Sequence, residues 1–191
     1  ADGTPYFVKC RRGAFDALTV TVPKFLHDAG VGHLIAPLPT ATGDLWAEVE
    51  GFKVILFPFM EGKNGYEQQM TEAQWRDLGI TFRHLHNIVL SPELQGRLHR
   101  ENYKPLWREQ VLDFLARADG NTFTDTLVQE LFAFVNEHRK TIHYLVSRAA
   151  ALAKGLESEP LSFVLCHADI HAGNVLLTAD GALYLVDWDT L

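Results

Sequence analysis

The tightest limit on what this chain can fold into lies between residues 163 and 189. Two apolar runs, Phe163-Val-Leu-Cys166 and Val175-Leu-Leu177, flank a polar loop that reads His167-Ala-Asp169-Ile-His171-Ala-Gly-Asn174. Asp180-Gly181 then separates the second run from a third, Leu183-Tyr-Leu-Val186, which ends in Asp187-Trp188-Asp189. Short β-prone runs parted by an Asp-Gly pair predict a strand, a loop and a β-hairpin. The hairpin carries Asp187 back toward the loop, so the side-chain oxygens of Asp169, Asn174 and Asp187 converge.

Such a convergence suits phosphoryl transfer, in which a carboxylate takes the proton of the attacking hydroxyl and oxygen ligands hold Mg²⁺ against the nucleotide phosphates. His167, Asp169 and Asn174 keep the spacing of the kinase catalytic loop H-R-D-x-x-x-x-N, and Asp187 supplies the later aspartate. With His171 two residues after Asp169, and Asp187-Trp188-Asp189 where protein kinases have Asp-Phe-Gly, the stretch resembles the aminoglycoside phosphotransferase and choline kinase superfamily. Within it, Leu-Cys-His-Ala-Asp-Ile-His-Ala-Gly-Asn is most similar to the spectinomycin phosphotransferase branch.

The resemblance implies an α+β, protein-kinase-like, two-lobed fold: a small antiparallel sheet lobe over residues 1–60 and a helical lobe over residues 61–191, with ATP in the cleft between them. It implies Asp169 as the base, Asn174 and Asp187 as Mg²⁺ ligands, and His167 packed beneath the loop to orient it. Asp189 and His171 are weaker candidates for the substrate side or the metal shell. The implied reaction is ATP-dependent O-phosphorylation of a small-molecule hydroxyl, with an aminocyclitol such as spectinomycin the expected acceptor. A kinase for choline, homoserine or a sugar would share these motifs, and an inactive kinase-like binding module could too. His-x-Asp-x-His also occurs in metal-dependent hydrolases, but such a site needs further ligands, and His84, His86, His99, His138 and His143 fall in other predicted helical segments.

Before the loop, Pro5-Tyr-Phe-Val-Lys9-Cys10 reads as a strand, and the resemblance gives Lys9 to the α- and β-phosphates. No Glu lies between Lys9 and Glu48, so the usual partner of that lysine is missing and Asp16 is the nearest substitute. Residues 14–29 carry a helical pattern that Pro23 is expected to divide. Three further strands, His33–Pro37, Leu45–Val49 and Phe52–Phe57, complete a four-stranded sheet. Pro58-Phe59-Met60-Glu61 follows as the hinge, whose Phe59, Met60 and Glu61 are implied to bind adenine; the same residues also suit a plain linker. Glu61–Tyr66 reads as loop.

Thr71-Glu-Ala-Gln74 is a capping box ahead of the apolar stripe Trp75, Leu78, Phe82, Leu85 and Ile88. A second helix holds Trp107, Val111, Leu112 and Leu115, and a third, longer one carries apolar positions from Val128 to Ala149 and ends near Gly155. These stripes read as core faces of helices that need one another.

The 191 residues are 47% hydrophobic, ordinary for a globular chain. With 24 acidic against 17 basic residues, a formal charge of −7 and no basic tract, neither nucleic acid nor an anionic membrane is an expected partner, while a cationic small molecule is. Cys10 and Cys166, both set in apolar runs, predict no disulfide framework and a reducing cytoplasm. No apolar run approaches the roughly 20 residues of a membrane span. The chain opens almost directly on a strand and closes two residues after Asp189, which leads to the expectation of a piece truncated at both ends.

Overall fold

The computed structural model describes residues 3–118, 124–157 and 159–190. In chain order the elements are β1 (Tyr6–Arg12), α1 (Leu18–Asp28), β2 (Ala47–Val49), β3 (Phe52–Pro58), β4 (Gly62–Asn64), α2 (Glu72–Asn87), α3 (Pro92–Arg97), α4 (Leu106–Ala118), α5 (Thr126–Glu137), α6 (Arg139–Glu157), a 3-10 turn (Ala172–Asn174), β5 (Val175–Thr178) and β6 (Leu183–Leu185). They form two compact units, residues 1–99 with 164–191, and residues 100–163. The lobe boundary expected near residue 60 falls inside the first unit, between its two sheets.

The first sheet is antiparallel with order β1-β3-β2 and sets Lys9 opposite Ile55. Glu50 and Gly51 both take positive φ, 51° and 78°, as the tight turn from β2 to β3 requires. Of the four strands expected here, the run from His33 to Pro37 is not one. His33 adopts φ 61°, which breaks extension, and the run contributes only a parallel bridge from Leu34 to Leu185. The carbonyl of His33 accepts the Leu185 N–H at 2.7 Å, and its Nδ1 donates to the Leu183 carbonyl at 3.1 Å.

The second sheet, β4-β5-β6, contains the expected hairpin, whose turn places Gly181 at φ 89°. It also contains a strand in the stretch read as loop, because β4 pairs with β5 in the register Lys63 to Leu177. A Cβ at Gly62 would lie 2.6 Å from the Leu177 carbonyl, so only glycine permits this approach. The apolar run at residues 163–166 is not a strand.

Pro23 does not divide α1. The helix is continuous, and Val22 and Leu26 on either side of the proline are fully buried. At the start of α2 the capping box forms in both directions: Thr71 Oγ1 accepts the Gln74 N–H at 3.2 Å, and the Thr71 N–H reaches Gln74 Oε1 at 2.9 Å. Leu78 and Leu85 are buried as the stripe predicts, but Trp75 is 60% exposed. The core joins Leu18, Val22 and Leu26 of α1 and Leu78 and Leu85 of α2 to Val175, Leu177, Leu183, Leu185 and Trp188. Each fully buried leucine there contributes about 1.5–3 kcal/mol.

In the second unit, the single long helix expected to carry Val128 to Ala149 and end near Gly155 is two, α5 and α6, parted at His138. Next to the break, the Arg139 guanidinium donates to Asn136 Oδ1 at 2.9 Å and to the Leu115 carbonyl of α4 at 3.2 Å. Leu115, Val135 and Ala153 are buried where the three helices meet, and Phe114 stacks on Phe132 with centroids 5.2 Å apart. Cys10 and Cys166 are free, and both are exposed rather than embedded.

Candidate active site

Strand alternation gives Lys9 and Arg11 one face of β1. The other half of the site comes from the end of β6, where Leu183 and Leu185 are completely buried and fix the start of Val186-Asp187-Trp188-Asp189. Lys9 Nζ donates to Asp187 Oδ1 at 2.9 Å and to Asp189 Oδ2 at 2.7 Å, and the Arg11 guanidinium also meets Asp189 Oδ2. The partner that sequence reasoning sought for Lys9 in α1 therefore lies 178 and 180 residues downstream. Asp16, the expected substitute, lies just before α1, where its Oδ1 accepts the Leu18 N–H at 2.9 Å. No sequence pattern near Lys9 could have identified these aspartates.

The polar loop is held from behind. His167 is 2% exposed, and its Nε2 donates to the Val186 carbonyl at 3.0 Å. Burial holds the imidazole below its ordinary pKa, against the opposing effects of that hydrogen bond and of the charges on Asp169 and Asp187. The ring stays neutral and packs against Trp188 at 4.4 Å between centroids. Asn174, also buried, donates from Nδ2 to the Asp169 carbonyl at 2.9 Å and stands 3.4 Å from Asp169 Oδ2. Its own carbonyl accepts the Val186 N–H at 3.1 Å, tying the loop to the hairpin. Ala168 and Asp187 both adopt left-handed φ, 67° and 62°, which costs non-glycine residues roughly 1–3 kcal/mol each and collects at functional sites.

Lys9, Asn174, Asp187 and Asp189 border a cavity of about 450 Å³. Its lining combines the apolar side chains of Phe7, Val20, Pro23, Ile35, Ile55 and Phe57 with the polar ones of Lys9, Asn174, Asp187 and Asp189. Phe59 and Met60 line it as well, whereas Glu61 is exposed and is not part of the wall. Trp188 and the α1 residues Thr19, Val20 and Pro23 also line it and were missed by sequence reasoning. A tryptophan between two candidate aspartates was the available signal for the first; the second needed the docking of α1. Asp169, His167 and His171 lie on the loop behind Asn174 and are not lining residues.

On the His-x-Asp-x-His motif each imidazole has one of its two nitrogens engaged, while His167 Nδ1 is buried without a partner. His167 Nε2 is bonded to Val186, and His171 Nδ1 accepts the Gly173 N–H at 3.0 Å. Among the described residues, no three or more His, Cys, Asp or Glu side chains are grouped to hold a metal ion. No helix of the described residues is long and apolar enough to cross a membrane.

Two solved structures of the spectinomycin phosphotransferase APH(9)-Ia, one with ADP and spectinomycin and one with AMP, superpose on the chain with a TM-score of 0.91 at 34% identity. The matches cover 99% of this chain but only 57% and 60% of those chains. An aminoglycoside phosphotransferase from Alicyclobacillus acidocaldarius subsp. acidocaldarius matches at TM-score 0.63 and 16% identity, over 98% of this chain and 57% of its own. An ethanolamine kinase from Plasmodium vivax matches at 0.51 and 12%, over 96% and 48%. These last two support the kinase-like fold alone. No curated protein sequence matches. A family model described as the phosphotransferase enzyme family matches residues 18–191, the span that contains the loop, the hairpin and both aspartates of the Lys9 cluster, and the chain belongs to that family.

Proposed function

We propose that the chain carries the nucleotide and phosphoryl-transfer site of an ATP-dependent O-phosphotransferase whose acceptor is a hydroxyl on a small amine-bearing molecule, an aminocyclitol such as spectinomycin. The observation that carries this reading is the mixed lining of the cavity. Its apolar lining residues, Phe59 and Met60 among them, suit a planar base, and the polar side chains of Lys9, Asn174, Asp187 and Asp189 suit phosphates and their counter-ion. Glu61 takes part only through its backbone in this reading, because its side chain is outside the wall.

The donor set fits Mg²⁺. Asp187 offers a hard carboxylate oxygen, and Asn174, whose amide nitrogen is spent on Asp169, offers its carbonyl oxygen. The Lys9 ammonium, within 2.9 Å of both aspartates, shows that this spot already accepts positive charge. When bound, Mg²⁺ supplies compensation for the negative charge of the phosphates. Lys9 binds the α- and β-phosphates and Asp189 steadies it. Asp169 receives the acceptor's proton as the new oxygen–phosphorus bond forms and the β,γ-bridging bond breaks, leaving ADP. His167 remains a neutral support of the loop.

Support for the acceptor class comes from the similarity to a protein solved with spectinomycin and from the formal charge of −7, which favours cations near a cleft. In the complete protein, Asp169→Asn should lower turnover roughly 10²–10⁴-fold while nucleotide binding stays near normal, because a base acts in the transition state. Turnover should also require added Mg²⁺ or Mn²⁺. ADP release coupled to spectinomycin, a kanamycin-type aminoglycoside, choline and homoserine provides the assay. Near-normal turnover by Asp169→Asn would remove the base, and turnover of choline or homoserine alone would remove the antibiotic acceptor.

A further inference from the structure

We propose that His171 is a positioning residue for Asp169, holding one carboxylate oxygen so that the other is presented to the acceptor hydroxyl. This rests on the reading of Asp169 as the base. The geometry starts at the 3-10 turn, where the Gly173 N–H donates to His171 Nδ1 at 3.0 Å. That nitrogen is thereby an acceptor, so the neutral ring carries its proton on Nε2. Nε2 lies 3.8 Å from Asp169 Oδ2, the oxygen that Asn174 Nδ2 also approaches at 3.4 Å. Two donors thus face Oδ2, while no hydrogen bond reaches Oδ1 among the described residues. A ring whose Nδ1 is occupied cannot take the proton onward, so His171 acts as a donor and not as a relay.

The imidazole is flanked on two sides, by Tyr66 and Gly173. Tyr66 stacks on it, with centroids 6.1 Å apart and planes at 25°. Tyr66 follows β4, and its neighbour Gly65 donates to the carbonyls of Ala172 at 2.8 Å and Val175 at 3.1 Å, which docks the segment on the loop. Beneath the ring, a Cβ at Gly173 would fall 2.8 Å from His171 Cε1, so glycine is required for the ring to lie this close. At 3.8 Å the contact from Nε2 to Asp169 is longer than a hydrogen bond, as catalytic contacts often are before substrate tightens them.

Two substitutions split the two ends of the ring. His171→Asn keeps an acceptor for the Gly173 N–H but no longer reaches Asp169; His171→Gln places an amide donor near the position of Nε2 but gives up the bond to Gly173. In the complete protein, His171→Asn should keep its Tm and its KM for ATP but lose about ten-fold in kcat, while His171→Gln loses Tm and stays within about three-fold of the parent kcat. A purely structural histidine predicts the opposite order, with Asn the better substitute in both measurements. Parental kcat in His171→Asn beside an inactive Asp169→Asn overturns the positioning role and leaves the base assignment standing. Normal turnover in Asp169→Asn overturns both.

Discussion

In the unit formed by residues 1–99 and 164–191, apolar side chains from α1, α2 and the hairpin close into one core whose central members, Val22, Leu26, Leu183 and Leu185, are wholly removed from water. In residues 100–163 the apolar stripes are as regular, yet only Leu115, Val135 and Ala153 of the described apolar side chains are buried, while Trp107, Leu127, Phe134 and Leu145 are each more than half exposed. The difference lies in layering. A sheet with helices packed against it surrounds an apolar residue on several sides, whereas helices that meet one another along single stripes leave their remaining apolar flanks uncovered. Every lining residue of the cavity belongs to the first unit, so the site is borne by the unit with the larger buried core.

The most severe test of that contrast is Leu185→Ala. It removes a fully buried side chain from the strand that feeds Asp187, and should cost about 2–5 kcal/mol in denaturant unfolding and weaken nucleotide binding with it. If binding survived such a loss, the site would not depend on the core beneath it.

A gentler test uses acid. Burial lowers the folded-state pKa of His167 below its unfolded value, so on acidification the unfolded chain takes up the proton first. The stability from this group is complete above about pH 6.5 and is lost as the pH falls from there toward the lowered folded value. His167→Gln can keep a donor to the Val186 carbonyl without a titrating group, and should flatten the dependence of the urea midpoint on pH below about 6.5. An unchanged acid slope would mean that His167 is solvated in solution.

The smallest effect belongs to the second unit. Leu127→Ala, at a position 74% exposed, should change stability by less than about 0.5 kcal/mol. A cost comparable to that of Leu185→Ala would erase the contrast between the units.

Residues close in sequence announced themselves when local chemistry had one solution. Thr71 and Gln74 cap each other across three positions, and Asp180-Gly181 supplies the turn between β5 and β6. The loop was legible for the same reason, since Asp169 and Asn174 sit within one short segment and bond to each other. The division between α5 and α6 was not, because the helices part at the single residue His138 while the apolar periodicity runs on across it. Nor was β4, three residues long, whose pairing with β5 joins segments more than a hundred residues apart.

The sequence by itself determined the hairpin, the capped helix α2, the spacing of Asp169 and Asn174, and the family these imply, because each follows from turn chemistry, periodicity or a motif within a few residues. Tertiary structure alone decided that Asp187 and Asp189 answer the charge of Lys9, that Pro23 lies inside an unbroken helix on the cavity wall, and that Tyr66 backs the ring of His171. Those outcomes depend on which distant surfaces meet, and no periodicity along the chain encodes a contact between strands and loops that only the closing of the core brings together.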